Sequence, residues 1–213
     1  MDSSKEYKLF TSGKSLEASK GVMIMIHGRG GTAENILTLA DEIDNPDFHY
    51  IAPQAPENSW YPYSFLAPIP QNEPGISSGI KLIGNLIKHI VENNIGTGKI
   101  VLLGFSQGAC LTLEFAARNA GRYGGIFGLS GGLIGPENTP RKYSGTFDDT
   151  PVLLGCSDID PHIPLQRVHK SKEVFEEMNA KVTERIYSGM PHTIIQDEID
   201  FVKKVMESVN NSK

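Results

Sequence analysis

The feature that most constrains this chain is the segment Gly104-Phe105-Ser106-Gln107-Gly108, which lies between an apolar run and a stretch of helical period. It fits the pattern G-x-S-x-G, in which a serine occupies a sharp strand-to-helix turn with its hydroxyl exposed. A serine hydroxyl is a poor nucleophile, so the backbone must hold it where a base can reach it. Two glycines and a serine can also form an ordinary βα loop. The strand before and the helix after favour Ser106 as a nucleophile.

Apolar runs alternate with helical stretches along the rest of the chain, which predicts an α/β fold with a mostly parallel central sheet flanked by helices. The predicted strands are 22–26, 49–53, 99–104, 124–130, 151–156 and 181–187, with a weaker edge strand near 7–11. Apolar residues at helical spacing predict helices over 33–43, 76–94, 111–119 and 195–209. The irregular segment 53–75 is rich in proline and aromatic residues, which is typical of a functional loop. No insertion is long enough to form a large helical lid.

Length and charge exclude several classes of protein. A chain of 213 residues predicts a single domain, 1–213, with one core. The net charge of -5 offers no basic patch for nucleic acid or for an anionic membrane. The polar N-terminus lacks the apolar core of a secretory signal, and no run approaches the ~18 apolar residues of a membrane span. We therefore expect a soluble cytoplasmic protein without a nucleic-acid partner or stable membrane association, of undetermined oligomeric state.

The cysteines and histidines do not indicate a metal site. Cys110 and Cys156 are the only cysteines, too few for a disulfide framework or a zinc site, and both are expected to be buried. A metal site built from His27, His162 and His192 is conceivable, but no ligand spacing supports it. We expect neither a metal nor another cofactor.

A serine nucleophile needs a histidine base and an acid that orients the imidazole. In a fold with this turn they follow in the order Ser, Asp, His, each after a later strand. His192 lies in the loop after strand 181–187, and both Asp158 and Asp160 follow strand 151–156. Spacing alone allows either aspartate to meet His192. Asp160 before Pro161 also resembles a helix N-cap followed by proline, a purely structural role that would leave the acid to Asp158.

An oxyanion hole requires two backbone N–H groups aimed at one point. The residue after the nucleophile, Gln107, supplies the first. The glycine-rich loop after strand 22–26 reads His27-Gly28-Arg29-Gly30-Gly31, and we assign the second donor to the N–H of Arg29. This loop matches neither the dinucleotide-binding glycine pattern nor a P-loop, so phosphate binding is not indicated.

Taken together, these motifs resemble the phospholipase/carboxylesterase family, small α/β-hydrolases without a large lid that include acyl-protein thioesterases. The resemblance covers nearly the whole chain. It rests on His27-Gly28-x-Gly30, Gly104-Phe105-Ser106-Gln107-Gly108-Ala109, Leu129-Ser130-Gly131, Asp160-Pro161-His162-Ile163-Pro164 and His192. It implies the α/β-hydrolase fold and cofactor-free hydrolysis of carboxylic esters or thioesters through an acyl-enzyme on Ser106. It also places the acid at the aspartate of D-P-x-x-P, which favours Asp160.

Several other residues are candidates for contact with a small-molecule ester or thioester substrate. Trp60, Tyr63 and Phe65 could wall the acyl side of the pocket or anchor their loop to the core. His162 could touch substrate, or it could cap a turn or face water. The Arg29 side chain is expected at the pocket mouth, where it could pair with an anionic group of the substrate or simply be solvated.

Two kinds of rival function remain at this stage. On the same fold, the chain could be a dienelactone-type hydrolase or a peptidase, although a dienelactone-type enzyme would usually carry cysteine in place of Ser106. It could also be a catalytically silent binding module on a hydrolase scaffold. A complete set of nucleophile, base, acid and elbow glycines disfavours a silent scaffold. The sequence does not determine acyl length or the preference for ester over thioester.

Overall fold

The computed structural model describes residues 7–211, so the polar segment 1–6 considered above lies outside the described residues, as do 212 and 213. Within that range, one sheet contains the strands β1 Leu9–Gly13, β2 Gly21–Ile26, β3 Phe48–Pro53, β4 Ile100–Phe105, β5 Gly125–Leu129, β6 Pro151–Ser157 and β7 Lys181–Tyr187. The strand order is β1-β3-β2-β4-β5-β6-β7. Only the pairing of β1 with β3 is antiparallel in this sheet. The predicted strands and the mostly parallel sheet are confirmed.

Helices cover both faces of the sheet, which explains why the central strands are apolar on both sides. The helices are α1 Ala33–Leu37, α2 Leu39–Ile43, α3 Gly75–Glu92, α4 Gln107–Arg118, α5 Leu165–Glu177 and α6 Gln196–Asn211. One apolar cluster joins the sheet to α3, α4 and α5, and a second joins it to α1, α2 and α6. Strands β2 and β5 are buried along their whole length. Strand β7 lies at the edge and is only partly buried.

Three helices differ from the prediction. The predicted helix 33–43 is two short helices that meet at Thr38, whose N–H and hydroxyl both donate to the carbonyl of Asn35. Helix α4 begins at Gln107, four residues before the predicted start, because it follows the turn at Ser106 directly. For helix α5 the sequence indicated only the start signal Asp160-Pro161 and no helical span, since buried Arg167 and Ser171 interrupt its apolar stripe.

The segment between β3 and α3 contains only short 3₁₀ turns, so no helical lid is inserted there. Among residues 7–211, no helix combines the length and the apolar character needed to cross a bilayer.

The start of α6 contains a buried acid, Glu198, whose side chain is 1% exposed. One of its carboxyl oxygens accepts the Ile195 N–H at 3.1 Å, and the other lies against Gly155 of β6, where a Cβ would collide with it. Burial raises the pKa of Glu198 to about 7, an effect that the Ile195 hydrogen bond only partly offsets. The fold therefore favours the protonated form of this carboxyl.

The pH dependence of stability tests this burial. Between about pH 4.5 and pH 7 the folded state holds a proton that the unfolded Glu198 has released, so the free energy of unfolding falls as the pH rises through that window. Glu198→Gln removes this dependence while keeping an acceptor for Ile195. We expect the variant to gain stability relative to the wild type between pH 5 and pH 8, by up to about 3 kcal/mol, measured by urea denaturation.

Glu207→Gln, on the exposed face of α6, is the matched control. The difference between its free energy of unfolding and that of the wild type should be the same at every pH. Parallel pH curves for wild type and Glu198→Gln would contradict the assignment.

Candidate active site

Ser106 occupies a strained turn between β4 and α4. Its φ of 55° and ψ of -118° lie in a region that non-glycine residues rarely adopt. The turn is held from both sides. The Ser106 N–H donates to the carbonyl of Leu129 on β5 at 2.9 Å, and its carbonyl accepts the N–H of Cys110 at 3.0 Å in the first turn of α4. The hydroxyl is thereby presented at the carboxyl end of the central strands.

Glycines allow three backbone segments to meet at this turn. A Cβ on Gly104 would collide with the backbone of Gly108, and a Cβ on Gly108 would collide with the carbonyl of Ile26 on β2. A Cβ on Gly28 would lie 3.2 Å from the Cβ of Ser106. The loop after β2 and the turn after β4 therefore approach each other more closely than side chains would permit.

His192 and Asp160 complete a hydrogen-bonded line with Ser106. Nε2 of His192 lies 2.8 Å from Oγ of Ser106, and Nδ1 lies 2.6 Å from Oδ2 of Asp160. The Asp160 side chain is fully buried, and the imidazole of His192 is 17% exposed. Since the carboxylate can only accept, Nδ1 carries the proton toward Asp160 and Nε2 is left to face the serine hydroxyl. This arrangement can remove a proton from Ser106.

Asp160 uses both of its carboxyl oxygens. Oδ1 accepts the N–H groups of His162 at 2.8 Å and Ile163 at 3.1 Å, while Oδ2 meets His192. Burial alone would raise the pKa of Asp160, but the hydrogen bonds from His192 and from the two N–H groups outweigh it and lower the pKa below its usual value. The sequence offered two interpretations of Asp160, a structural one at a turn and a partnership with His192. Its contacts fit both, because Oδ1 binds the N–H groups of its own turn and Oδ2 faces the imidazole. It is not the N-cap of α5, whose N-cap residue is Pro164.

Asp158 lies on the surface and does not contact His192. Its Oδ1 accepts the Gly189 N–H at 2.8 Å, and its Oδ2 accepts the Ser188 hydroxyl at 3.0 Å. These bonds, the Gly189 bond above all, lower the pKa of Asp158. Asp158 therefore holds the loop that leads to His192, while the imidazole itself is oriented by Asp160.

The two backbone N–H groups assigned to the oxyanion hole belong to Arg29 and Gln107. Within residues 7–211, neither the N–H of Arg29 nor that of Gln107 donates to a protein acceptor. Gln107 is the first residue of α4, where N–H groups have no partner inside the helix. Gly28, next to Arg29, packs against Ser106. Arg29 and Gln107 thus each follow a residue at or against Ser106 in the chain, and their N–H groups have no protein acceptor among the described residues.

The Arg29 side chain is exposed and is hydrogen-bonded to a neighbouring loop. Its Nη1 donates to the Ser59 hydroxyl at 3.0 Å and to the carbonyl of Pro62 at 2.9 Å. Its Nη2 donates to the carbonyls of Tyr61 at 2.8 Å and Tyr63 at 2.7 Å. The guanidinium is therefore directed at the backbone of the neighbouring loop while the residue stays exposed. Pairing of Arg29 with an anionic group of the substrate stays a prediction.

A cleft with a cavity volume of about 380 Å³ opens at Ser106. Apart from the residues already described, its wall consists mainly of aromatic and apolar side chains, from Tyr61, Tyr63, Phe65, Phe105, Cys110 and Ile163. Phe65 is buried and Tyr63 is 58% exposed at the rim. His162 also lines the cleft, with its ring edge-on to His192 at a centroid distance of 5.0 Å. Three of the four proposed contact residues therefore lie at the cleft.

The fourth, Trp60, was wrongly assigned to the pocket wall. Its ring is buried, stacks on Tyr7, and donates through Nε1 to the carbonyl of His27 at 2.8 Å. Because its indole N–H needs a buried acceptor, the side chain turns away from the cleft and anchors its loop to the core.

Sequence reasoning did not assign four side chains to the cleft wall: Tyr61, Phe105, Cys110 and Ile163. Cys110 stands four residues after Ser106 on α4, and helical spacing would have placed it on the same side as the nucleophile. Tyr61 belongs to the same aromatic loop as Tyr63, and no pattern in the sequence distinguished it as a buried residue.

His27, one of the three histidines considered for a metal site, has a structural partner, since its Nε2 accepts the Ala55 N–H at 3.1 Å. Across residues 7–211, no group of three or more His, Cys, Asp or Glu side chains is arranged to hold a metal ion.

Comparison with known proteins gives one consistent result. The sequence profile of the family described as Phospholipase/Carboxylesterase matches residues 12–210. The crystal structure of a phospholipase/carboxylesterase from Dyadobacter fermentans is 44% identical, with a TM-score of 0.91 over 95% of this chain and 97% of its own. Acyl-protein thioesterase 1 of Kluyveromyces lactis is 29% identical over 90% of this chain and 94% of its own. The Bacillus cereus carboxylesterase shares the fold at 18% identity, with a TM-score of 0.74 and coverage of 97% and 96%.

The close approach of the two loops can be tested with one methyl group. Alanine in a helix is ordinarily more stable than glycine by up to ~1 kcal/mol. At Gly108 we expect the opposite, a loss of about 3 kcal/mol or more in the free energy of unfolding, because the methyl group meets the backbone of β2. Gly30→Ala is the control, since its Cβ meets no atom within 4 Å and only the φ of +77° opposes it, at about 1 to 2 kcal/mol. Equal losses in chemical denaturation would refute the steric explanation.

Proposed function

The chain belongs to the phospholipase/carboxylesterase family, and from that premise we propose that Ser106, His192 and Asp160 are its catalytic residues. The family resemblance drawn from the sequence motifs is confirmed, and the chain is a serine hydrolase of carboxylic esters or thioesters. The observation that supports the proposed residues is the line of hydrogen bonds from Ser106 through His192 to Asp160, at 2.8 and 2.6 Å. Nucleophile, base and acid need this relative geometry.

In the proposed first half-reaction, Nε2 of His192 takes the proton of Ser106 as Oγ bonds to the acyl carbon of the substrate. The carbonyl oxygen becomes an oxyanion, which the N–H groups of Arg29 and Gln107 stabilise. The intermediate collapses, the bond to the leaving oxygen or sulfur breaks, and the imidazolium gives its proton to that atom. An alcohol or thiol departs and the acyl group remains on Ser106.

The second half-reaction uses the same groups on water. His192 takes a proton from a water molecule as its oxygen bonds to the acyl carbon of the acyl-enzyme. The second oxyanion collapses, the bond to Oγ breaks, and the imidazolium returns the proton to Ser106. A carboxylic acid is released and no cofactor takes part.

Asp160 is proposed to act on the imidazole throughout. Its lowered pKa keeps it a carboxylate at neutral pH, so it fixes the Nδ1–H tautomer and stabilises the imidazolium that forms in each half-reaction. Buried in this way, the carboxylate is screened little by water, which strengthens its effect on His192.

We propose that the substrates are small molecules with short or medium acyl groups, which the cleft has room to hold. Its volume of about 380 Å³ and its aromatic wall suit a compact apolar acyl chain. A thioester is a second candidate substrate, because the relative from Kluyveromyces lactis bears the name acyl-protein thioesterase 1.

Relatives with the names esterase and thioesterase give no support to a dienelactone-type enzyme, a peptidase or a silent binding module. Cytoplasmic location, a single domain over 1–213 and the absence of a nucleic-acid partner stay predictions.

Replacing the nucleophile tests the proposed function directly. Ser106→Ala should abolish labelling by a fluorophosphonate probe and reduce turnover of p-nitrophenyl esters and short acyl-CoA thioesters by about 10⁴-fold or more. Ser208→Ala, at an exposed position on α6, should keep both. Circular dichroism should show both variants folded. Persistent labelling of Ser106→Ala would rule out this nucleophile.

The choice between the two aspartates is tested by a matched pair of amides. Asp160→Asn keeps the size of the side chain but removes the charge and can turn an N–H toward His192, so kcat should fall by up to ~10⁴-fold. Asp158→Asn should cost far less, because it disturbs only exposed bonds to Ser188 and Gly189. Steady-state kinetics on one soluble ester measures both. The reverse order of losses would assign the acid to Asp158.

A further inference from the structure

The side chains of Arg29 and Gln107 both bind one short piece of backbone, segment 59–63, in the loop between β3 and α3. We propose that Arg29 is a positioning residue whose guanidinium, together with the Gln107 amide, clamps this segment and so holds the two oxyanion N–H groups at a fixed spacing. This inference rests on the proposed function, because it concerns the same oxyanion hole. It assigns the Arg29 side chain a role separate from that of its backbone N–H.

Arg29 makes its contacts with neutral acceptors. Four hydrogen bonds of 2.7 to 3.0 Å join its two terminal nitrogens to three backbone carbonyls and the Ser59 hydroxyl. The planar guanidinium carries five N–H donors in a fixed fork, which allows one side chain to hold several carbonyls at once. A lysine ammonium offers only three donors on a flexible stem and cannot reproduce the set. The charge therefore serves here to strengthen bonds to the backbone.

Gln107 reaches the same segment from the nucleophile turn. Its Oε1 accepts the Trp60 N–H at 2.9 Å, and its Nε2 donates to the carbonyl of Tyr61 at 2.8 Å. That carbonyl also accepts from Arg29 at 2.8 Å and from the Ser59 hydroxyl at 2.9 Å. One backbone oxygen thus joins the side chains of both residues whose N–H groups form the proposed hole.

The backbone on both sides of Arg29 is tied to the same loop. The carbonyl of His27 accepts the indole N–H of Trp60, and the N–H of Gly30 donates to the carbonyl of Asn58 at 2.8 Å. If the segment moves, the loop after β2 must move with it. The spacing between the N–H of Arg29 and the N–H of Gln107 therefore depends on a third element that contributes no N–H to the hole.

This dependence matters because an oxyanion hole acts through donors that are oriented before the reaction begins. A misplacement of about 1 Å can cost ~10²-fold in rate even when every catalytic group is present. Loss of the clamp should lower kcat, which reports stabilisation of the transition state, with little effect on KM for a neutral substrate.

Kinetics of clamp variants test the inference. Arg29→Met and the milder Arg29→Lys should each lower kcat on neutral p-nitrophenyl acetate by ~10- to 100-fold, with KM within about 3-fold of wild type. Binding of a trifluoromethyl ketone, which forms an oxyanion on the nucleophile, should weaken by the same factor as kcat. Gln107→Met keeps its N–H and should show the same pattern. In the double variant Arg29→Met with Gln107→Met the loss should stay within about 3-fold of the larger single loss, because both clamps act through one segment.

Asn72 supplies a matched control. It is buried, and it binds the far end of the same loop by accepting the Tyr63 N–H at 2.8 Å and donating to the carbonyl of Ser64 at 2.8 Å. Asn72→Ala frees only the end of the loop at Tyr63 and Ser64, while residues 59–62 stay bound to Arg29 and Gln107, so kcat should stay within about 3-fold of wild type at a temperature where all variants are folded. Thermal melts establish that temperature.

A loss confined to KM or to anionic esters would overturn the inference, because it would make Arg29 a substrate-binding residue. So would a kcat loss in Asn72→Ala equal to that in Arg29→Met, or losses in the double variant equal to the product of the two single losses. Failure of the proposed function is separately visible, since it would appear as hydrolysis or labelling retained in Ser106→Ala. Full activity of the Arg29 variants in an enzyme that Ser106→Ala inactivates would reject this inference alone.

Discussion

The site depends on one steric constraint, the contact between the turn at Gly108 and the carbonyl end of β2. No side chain fits between Gly108 and Ile26, so the start of α4 lies directly on the neighbouring strand. This contact fixes the position of Ser106 relative to the loop after β2, where Gly28 packs on the nucleophile. The strained φ of Ser106 persists because bonds to β5 and α4 restrain the turn from the other sides. The position of the proposed nucleophile is thus set by how closely the carboxyl ends of two parallel strands approach each other.

The sequence predicts the sheet well because its strands are buried on both faces. Short, continuous apolar runs such as those of β2 and β4, with turn-forming residues close by, are typical of a buried strand. The span of helix α5 could not be predicted, because polar residues are buried in it. Arg167 is buried there because its guanidinium donates to the carbonyls of Leu133 and Gly135, distant in sequence, and such a tertiary pairing leaves no periodic signal.

The positions proposed for nucleophile, base and acid could be predicted from sequence because each follows a strand, and parallel strands bring their carboxyl ends to one edge. Ser106 also needed the G-x-S-x-G pattern and His192 the order Ser, Asp, His, whereas the preference for Asp160 over Asp158 came from the family resemblance. The direction in which a loop side chain points could not be predicted from the sequence. Trp60 turns to the core and Arg29 turns to a neighbouring loop because of acceptors that only the folded chain supplies.

The contacts that hold segment 59–63 are made almost entirely to main-chain atoms, the carbonyls of Tyr61, Pro62 and Tyr63 and the N–H of Trp60. Main-chain atoms are present whatever residue occupies a position. The phenol ring of Tyr63, at the rim of the cleft, can therefore be exchanged without withdrawing an acceptor from Arg29. Attachment through the backbone separates the ring at the rim of the cleft from the hydrogen bonds that Arg29 and Gln107 make. Point mutations at the rim could therefore change the shape of the cleft during evolution while the hydrogen bonds of Arg29 and Gln107 to the main chain remain in place.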